Sequence, residues 1–141
     1  MHDVPQIYCL VRKKWITRTP EEEVRQALIK HLNLMCHAPL SLMTCEYPLL
    51  YNGRAFRADL VLHDRHAKPL LLAEFKAPDV PIGPQALDQL QRYNTVLRTP
   101  FLLLSNSVNT YCCQWAAAQG SYTFLSDIPL YEFMIAQPTT V

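Results

Sequence analysis

The sequence predicts an α/β protein in which helices pack on a mixed β-sheet, in the order helix, three antiparallel strands, helix, strand, antiparallel extension. Three observations carry that expectation. Val24, Leu28, Leu32 and Met35 recur at helical spacing behind a helix-start signature. Two turn signals, Asn52-Gly53 and the polar stretch at residues 64–68, divide residues 40–76 into three strand-like runs. The apolar run Phe101–Ser105 follows a helical pattern directly, as in a parallel crossover that buries a strand on both faces.

The first helix opens at Thr19-Pro20-Glu21-Glu22, with a hydroxyl at the N-cap, proline at the first helical position and an acid three residues after the cap. On a helical wheel Glu21 and Glu22 fall at the middle and flank of the apolar stripe, so a carboxylate borders the core, whereas Glu23 points away. Residues 40–48 read as the first strand, 56–63 as the second and 69–76 as the third. The short loop between the last two makes them an antiparallel hairpin. Pro78, Pro81, Gly83 and Pro84 interrupt the pattern and start a second helix carrying Ala86, Leu87, Leu90, Tyr93 and Leu97, which Pro100 ends. Residues 108–115 and 121–125, turning through Gln119-Gly120, supply the antiparallel extension.

Composition removes several classes of function. The chain has 141 residues, half of them hydrophobic, enough for one core, and we expect one domain over residues 1–141. No apolar run approaches the roughly 20 residues needed to cross a bilayer, and no signal segment is evident, so the expectation is a cytoplasmic chain without membrane association. Three glycines, Gly53, Gly83 and Gly120, lie too far apart for a dinucleotide fingerprint, a P-loop or a nucleophile elbow, which leaves no ATP site. Five cysteines without a C-x-x-C pair read as reduced structural thiols, and His63 and His66 beside a turn make a poor zinc site. A formal net charge of +1 gives no general attraction to polyanions, though local basic patches can hold a phosphate backbone.

The chemistry concentrates at Glu74-Phe75-Lys76. Glu74 and Lys76 are two residues apart, hence on one face of the third strand. A lone acid-x-lysine is common, but the neighbouring strand adds weight. A hairpin centred between His66 and Ala67 pairs Asp59 with Glu74, and two facing carboxylates repel unless a positive charge sits between them. Hard oxygen ligands select Mg²⁺ or Mn²⁺, and Mg²⁺ is typically held by one or two carboxylates with water and substrate phosphate completing the shell. Lys76 can orient a water and offset charge developing on a phosphodiester in the transition state. The bland alternative for Lys76 is a salt bridge to Glu74 or Asp59.

Asp59, Glu74-Phe75-Lys76 and the Q-x-x-x-Y of Gln89-Leu90-Gln91-Arg92-Tyr93 together resemble the PD-(D/E)XK nuclease superfamily. The runs Thr19-Pro20-Glu21-Glu22-Glu23-Val24-Arg25-Gln26, Arg57-Ala58-Asp59-Leu60-Val61, Leu71-Leu72-Ala73-Glu74-Phe75-Lys76-Ala77-Pro78 and Asp88-Gln89-Leu90-Gln91-Arg92-Tyr93-Asn94 look more closely like the N-terminal endonuclease domain of type I restriction enzyme R subunits. The resemblance covers residues 11–130. It implies a restriction-endonuclease-like fold and Mg²⁺-dependent DNA cleavage, with Mn²⁺ as a substitute. By position, Asp59 and Glu74 match the metal-ligating acids, with the Phe75 carbonyl a further ligand. Lys76 matches the catalytic lysine, Gln89 and Tyr93 the residues near the scissile phosphate, and Glu22 the first-helix acid. Glu22 is equally the capping-box position, and Glu21 is the alternative acid.

DNA is the implied partner. Arg25, Arg57 and Arg92, with Tyr93, are the expected nucleic-acid contacts, and phosphate contacts of this kind position a backbone without reading sequence. Full R subunits continue into an ATP-driven motor, and with no phosphate-binding loop among these 141 residues, translocation is not expected of them. A homodimer whose two sites cut two strands, a restriction-system partner, and a catalytically inactive DNA- or partner-binding module on the same scaffold all remain open.

Overall fold

Alternating apolar runs and well-marked turns produce a three-layer arrangement in the computed structural model, which describes residues 4–137. The expected domain's ends, residues 1–3 and 138–141, lie outside the described residues. A small hairpin of β1 (Gln6–Cys9) and β2 (Lys14–Thr17) precedes α1 (Pro20–Lys30). A six-stranded mixed sheet follows in spatial order β3 (Met43–Tyr51), β4 (Arg54–His63), β5 (Pro69–Phe75), β6 (Phe101–Ser105), β7 (Thr110–Ala116), β8 (Ser121–Leu125). α2 (Pro84–Leu97) carries the crossover from β5 to β6, the sheet's parallel pair, and α3 (Tyr131–Ala136) closes the described chain. This is the expected mixed sheet flanked by helices. Among the described residues no helix is long and apolar enough to cross a membrane.

The Thr19 hydroxyl accepts the Glu22 N–H at 3.0 Å, capping α1 as its sequence requires. Val24, Leu28, Ile29 and Leu32 then pack against Leu60, Leu62, Ala73, Phe75 and Leu103 on one face of the sheet. On the other face Leu90, with Ala86, Leu87 and Leu97, covers Val61, Leu72, Leu102 and Leu104. β6 is buried along its whole length, as a strand between two helical layers should be, and each of its large apolar side chains contributes about 1.5–3 kcal/mol of burial. Adjacent Cys112 and Cys113 point into opposite layers, and all five cysteines are buried and unbridged.

Several boundaries depart from expectation for local reasons. Met35 is 64% exposed rather than part of the α1 stripe, because residues 31–35 widen into a π-turn. There the Cys36 N–H reaches back to the His31 carbonyl, and Cys36 takes the buried position. β3 starts at Met43 rather than residue 40, since Leu40–Leu42 form a 3-10 turn. Asn106 accepts the Val108 and Asn109 N–H groups and folds that stretch into a loop, delaying β7 to Thr110. The β1–β2 hairpin and α3 were not expected at all.

Candidate active site

The β4–β5 hairpin brings the two acids together. Leu60↔Ala73, Val61↔Leu72 and Leu62↔Leu71 are paired, a register that sets Asp59 opposite Glu74. The turn itself is not symmetric about His66 and Ala67: His63 pairs with Pro69, and a bulge between Leu62 and His63 restores the expected offset. Asp64 holds that loop by accepting the His66 and Lys68 N–H groups. At the open end of the ladder the Asp59 carboxylate accepts the Phe75 N–H at 2.7 Å, which fixes it against β5 beside Glu74.

Burial is the main influence on both acids. It pushes Asp59 up to about 6, against lowering by the Phe75 N–H and Arg25 and further raising by Glu21 and Glu46. Glu74 is pushed up to about 7 by burial and by the Asp59 charge, with Lys76 pulling the other way. Lys76 lies just past β5, where its N–H donates to the Ser105 carbonyl, and its Nζ is 3.5 Å from Glu74 Oε1. Glu74 and Lys76 open into a cleft of about 190 Å³ with Arg57, Phe56, Gln89 and Tyr93 on its walls. On α2 the Gln89 amide donates to the Tyr93 hydroxyl at 2.6 Å, and the Tyr93 ring packs on Phe56 with centroids 4.1 Å apart. Five of the expected residues, Glu74, Lys76, Gln89, Tyr93 and Arg57, therefore share one cleft, with Asp59 behind Glu74. Arg92 lies in the adjoining groove with Tyr51, Asn52 and Asp88.

Two first-helix residues sit differently from expectation. Glu22 is only 5% exposed, and its carboxylate is occupied by Arg12, Arg25 and Gln26. Burial alone would raise its pKa, but those hydrogen bonds outweigh it and hold Glu22 below its ordinary range. Glu21, exposed one position earlier, adds to the upward push on both Asp59 and Glu74. Arg25 is not a free phosphate contact, which corrects the expectation. Glu22, Arg25, Gln26 and Ile29 share a buried helix face, so the guanidinium is drawn inward to bond both Glu22 oxygens, Glu46 at 2.7 Å and the Asp59 carbonyl at 3.0 Å.

Glu46 is a residue that sequence reasoning missed. Cys45↔Leu60 and Tyr47↔Ala58 bracket it opposite Asp59, so Glu46, Asp59 and Glu74 form a row across β3, β4 and β5. The signal was available, because the Asn52-Gly53 turn, with φ of 51° and 75°, fixes that pairing by the same arithmetic that aligned Asp59 with Glu74. Among the described residues no group of three His, Cys, Asp or Glu side chains converges into a complete metal cage. The cleft offers instead the Glu74 carboxylate, with the buried Asp59 carboxylate against the Phe75 main chain behind it. Two crowded acids whose charged forms repel, with hard oxygen donors only, suit a cation such as Mg²⁺ that keeps much of its shell for water and substrate.

The six-stranded mixed sheet between helical layers is a restriction-endonuclease-like fold. Within it the chain belongs to the family described as type I restriction enzyme R protein N terminus (HSDR_N), which matches residues 20–129. Among solved structures it is similar to a fragment described as an HsdR subunit of a type I restriction enzyme from Vibrio vulnificus YJ016, with a TM-score of 0.58 and 19% identity over 83% of this chain. The chain spans 24% of that fragment's chain. It is also similar to a DUF820 protein from Anabaena variabilis ATCC 29413, described as a nuclease, with a TM-score of 0.52 and 10% identity over 91% of this chain and 83% of that one. No curated protein matches the chain in sequence.

Proposed function

We propose that the chain is a metal-dependent endodeoxyribonuclease domain of the PD-(D/E)XK kind, hydrolysing DNA phosphodiester bonds within a restriction system. The observation that carries this reading is Glu74 beside Lys76 in the wall of a cleft, with the buried acid Asp59 facing Glu74 from the neighbouring strand. In this reading Asp59, Glu74 and the Phe75 carbonyl hold Mg²⁺ or Mn²⁺. The bound cation supplies Lewis-acid polarisation of a phosphodiester oxygen.

The chain's own groups do the rest. Asp59 is held in place by the Phe75 N–H, so its carboxylate is oriented before a cation would bind. Lys76 orients the attacking water and offsets negative charge developing on the phosphoryl oxygens. Gln89 and Tyr93, fixed to each other and to Phe56, position the scissile phosphate against Glu74. Arg57 on the cleft wall and Arg92 in the adjoining groove neutralise flanking phosphates. A second copy of the chain or a restriction-system partner would supply the second cut of a duplex.

Supercoiled plasmid incubated in Mg²⁺ and in Mn²⁺ with wild type, beside Lys76→Ala purified identically, tests the proposal. Nicking or linearisation by wild type alone is expected. Equal residual cleavage by both proteins, or none by either, rejects catalysis by this site and favours the non-catalytic binding module on the same scaffold.

A further inference from the structure

We propose that the outer half of the β3–β4 hairpin is an arm that seats in the major groove of duplex DNA next to the cleft. The inference rests on the nucleic-acid reading above and adds to it the form of the substrate. The β4–β5 ladder ends at Leu60↔Ala73, whereas β3 and β4 continue paired to Tyr51↔Arg54. The continuation is a two-stranded ribbon about 20 Å long at ~3.3 Å per residue, and a ribbon of that kind fits a major groove about 12 Å wide.

The ribbon has a fastened face and a bare one. Tyr47, Leu49 and Phe56 pack into the layer under α2, and Tyr51 and Phe56 both meet the Tyr93 ring. The opposite face is made by the cross-strand pairs Pro48↔Arg57 and Leu50↔Ala55, all four exposed, with Leu50 at 67%. Between Tyr47 and Ala58 the ribbon carries two arginines, Arg57 on the bare face and exposed Arg54 at the tip opposite Tyr51, and no acid, in a chain whose formal charge is only +1. Arg57 also lines the cleft with Glu74 and Lys76, so the bare face and the reaction site are contiguous.

The switch of faces has a local cause. Cys45 and Leu60 point toward the α1 layer, but Tyr47, Leu49, Phe56 and Ala58 point toward α2, and Glu46 between them has a left-handed φ of 56°. That turn in the backbone rotates the ribbon and presents Leu50 outward. A protein strand is the poorer occupant. β3 is an edge of the sheet, and Pro48 lacks the N–H that an added strand needs.

The test measures anisotropy of a fluorescein-labelled 30-bp duplex and of its single strand in EDTA, with wild type and with the double variant Leu50→Ser/Arg54→Gln. Both side chains are exposed, and unchanged melting of the variant confirms that it folds. Wild type is expected to prefer duplex by about tenfold. The variant is expected to lose about that factor on duplex but little on single strand, with a salt dependence shallower by about one ion. Methyl green, a major-groove ligand, should displace wild type and distamycin should not. Unchanged duplex affinity in the variant, displacement by distamycin alone, or no duplex binding by wild type overturns the arm. Duplex binding that depends on Leu50 and Arg54 without any plasmid nicking would uphold the arm while rejecting the catalytic reading.

Discussion

Arg25 neutralises one end of the carboxylate row while holding the strand beneath it. Its guanidinium joins Glu22 on α1 to Glu46 on β3 and to the Asp59 carbonyl on β4, and Glu22 and Glu46 hold it firmly protonated. Replacing it by Gln leaves buried Glu22 short of its main partner, and we expect a loss of about 3–5 kcal/mol in chemical denaturation. Lys is not an adequate substitute, because an ammonium cannot span three acceptors in a planar fork, so Arg25→Lys should also melt well below wild type. Asp59 and Glu74 give a pH signature. Their folded pKa values, about 6 and about 7, lie above ordinary carboxylate values, so the folded state holds more protons than the unfolded one in that window. Their contribution to stability is therefore lost as pH rises from about 4 to about 7. In EDTA the melting temperature of wild type should fall across that range more than that of Glu74→Gln. Glu22, lowered instead, loses its contribution only as pH drops below the ordinary glutamate value. A steeper fall in the variant would contradict the crowding of Asp59 and Glu74. At this scale the facing of Asp59 and Glu74 was legible, because a strand hairpin fixes its pairs by counting. The inward turn of Arg25 and Glu22 was not, because a helical wheel gives a direction without saying which of two neighbouring acids meets a buried cation.

The elements divide between those with strong local signals and those held by distant contacts. Thr19 caps α1 through the Glu22 N–H, and Thr19→Ala should cost about 1 kcal/mol in a urea titration, with the cleft beside Glu74 and Lys76 intact. Equal stability of the two proteins would show that Pro20 and the buried Glu22 suffice to start the helix. β5, α2 and β6 were readable because proline, glycine and unbroken apolar runs mark their limits. The π-turn at residues 31–35 was not, since nothing in His31-Leu32-Asn33-Leu34-Met35 distinguishes it from another α-helical turn. α3 is six residues long and depends on distant partners: the Tyr131 hydroxyl donates to the His63 carbonyl, and its N–H donates to the Cys36 carbonyl. The β1–β2 hairpin has four-residue strands and docks through the Leu10 N–H on Gln26 and through Arg12 on Glu22. Elements this short follow tertiary contacts more than propensity.

In the molecule as a whole, two helical layers bury the central strands and leave the end of β5 open beside α2, where Glu74 and Lys76 emerge in front of buried Asp59. The fold and its family were legible because several weak motifs fall in one order along most of the chain. In the acidic row, the pairing of Glu46 with Asp59 follows from counting through the Asn52-Gly53 turn, but the backbone kink at Glu46 exists only in the folded protein. In the proposed reading, Asp59 and Glu74 are one divalent-cation site. Calorimetric titration of Mn²⁺ into wild type and Glu74→Gln at about pH 8, where both acids are ionised in wild type, tests it most directly. One Mn²⁺ per chain is expected for wild type, with affinity at least about tenfold weaker in the variant for loss of a charged ligand. Equal binding by both proteins, or none by wild type, would contradict it.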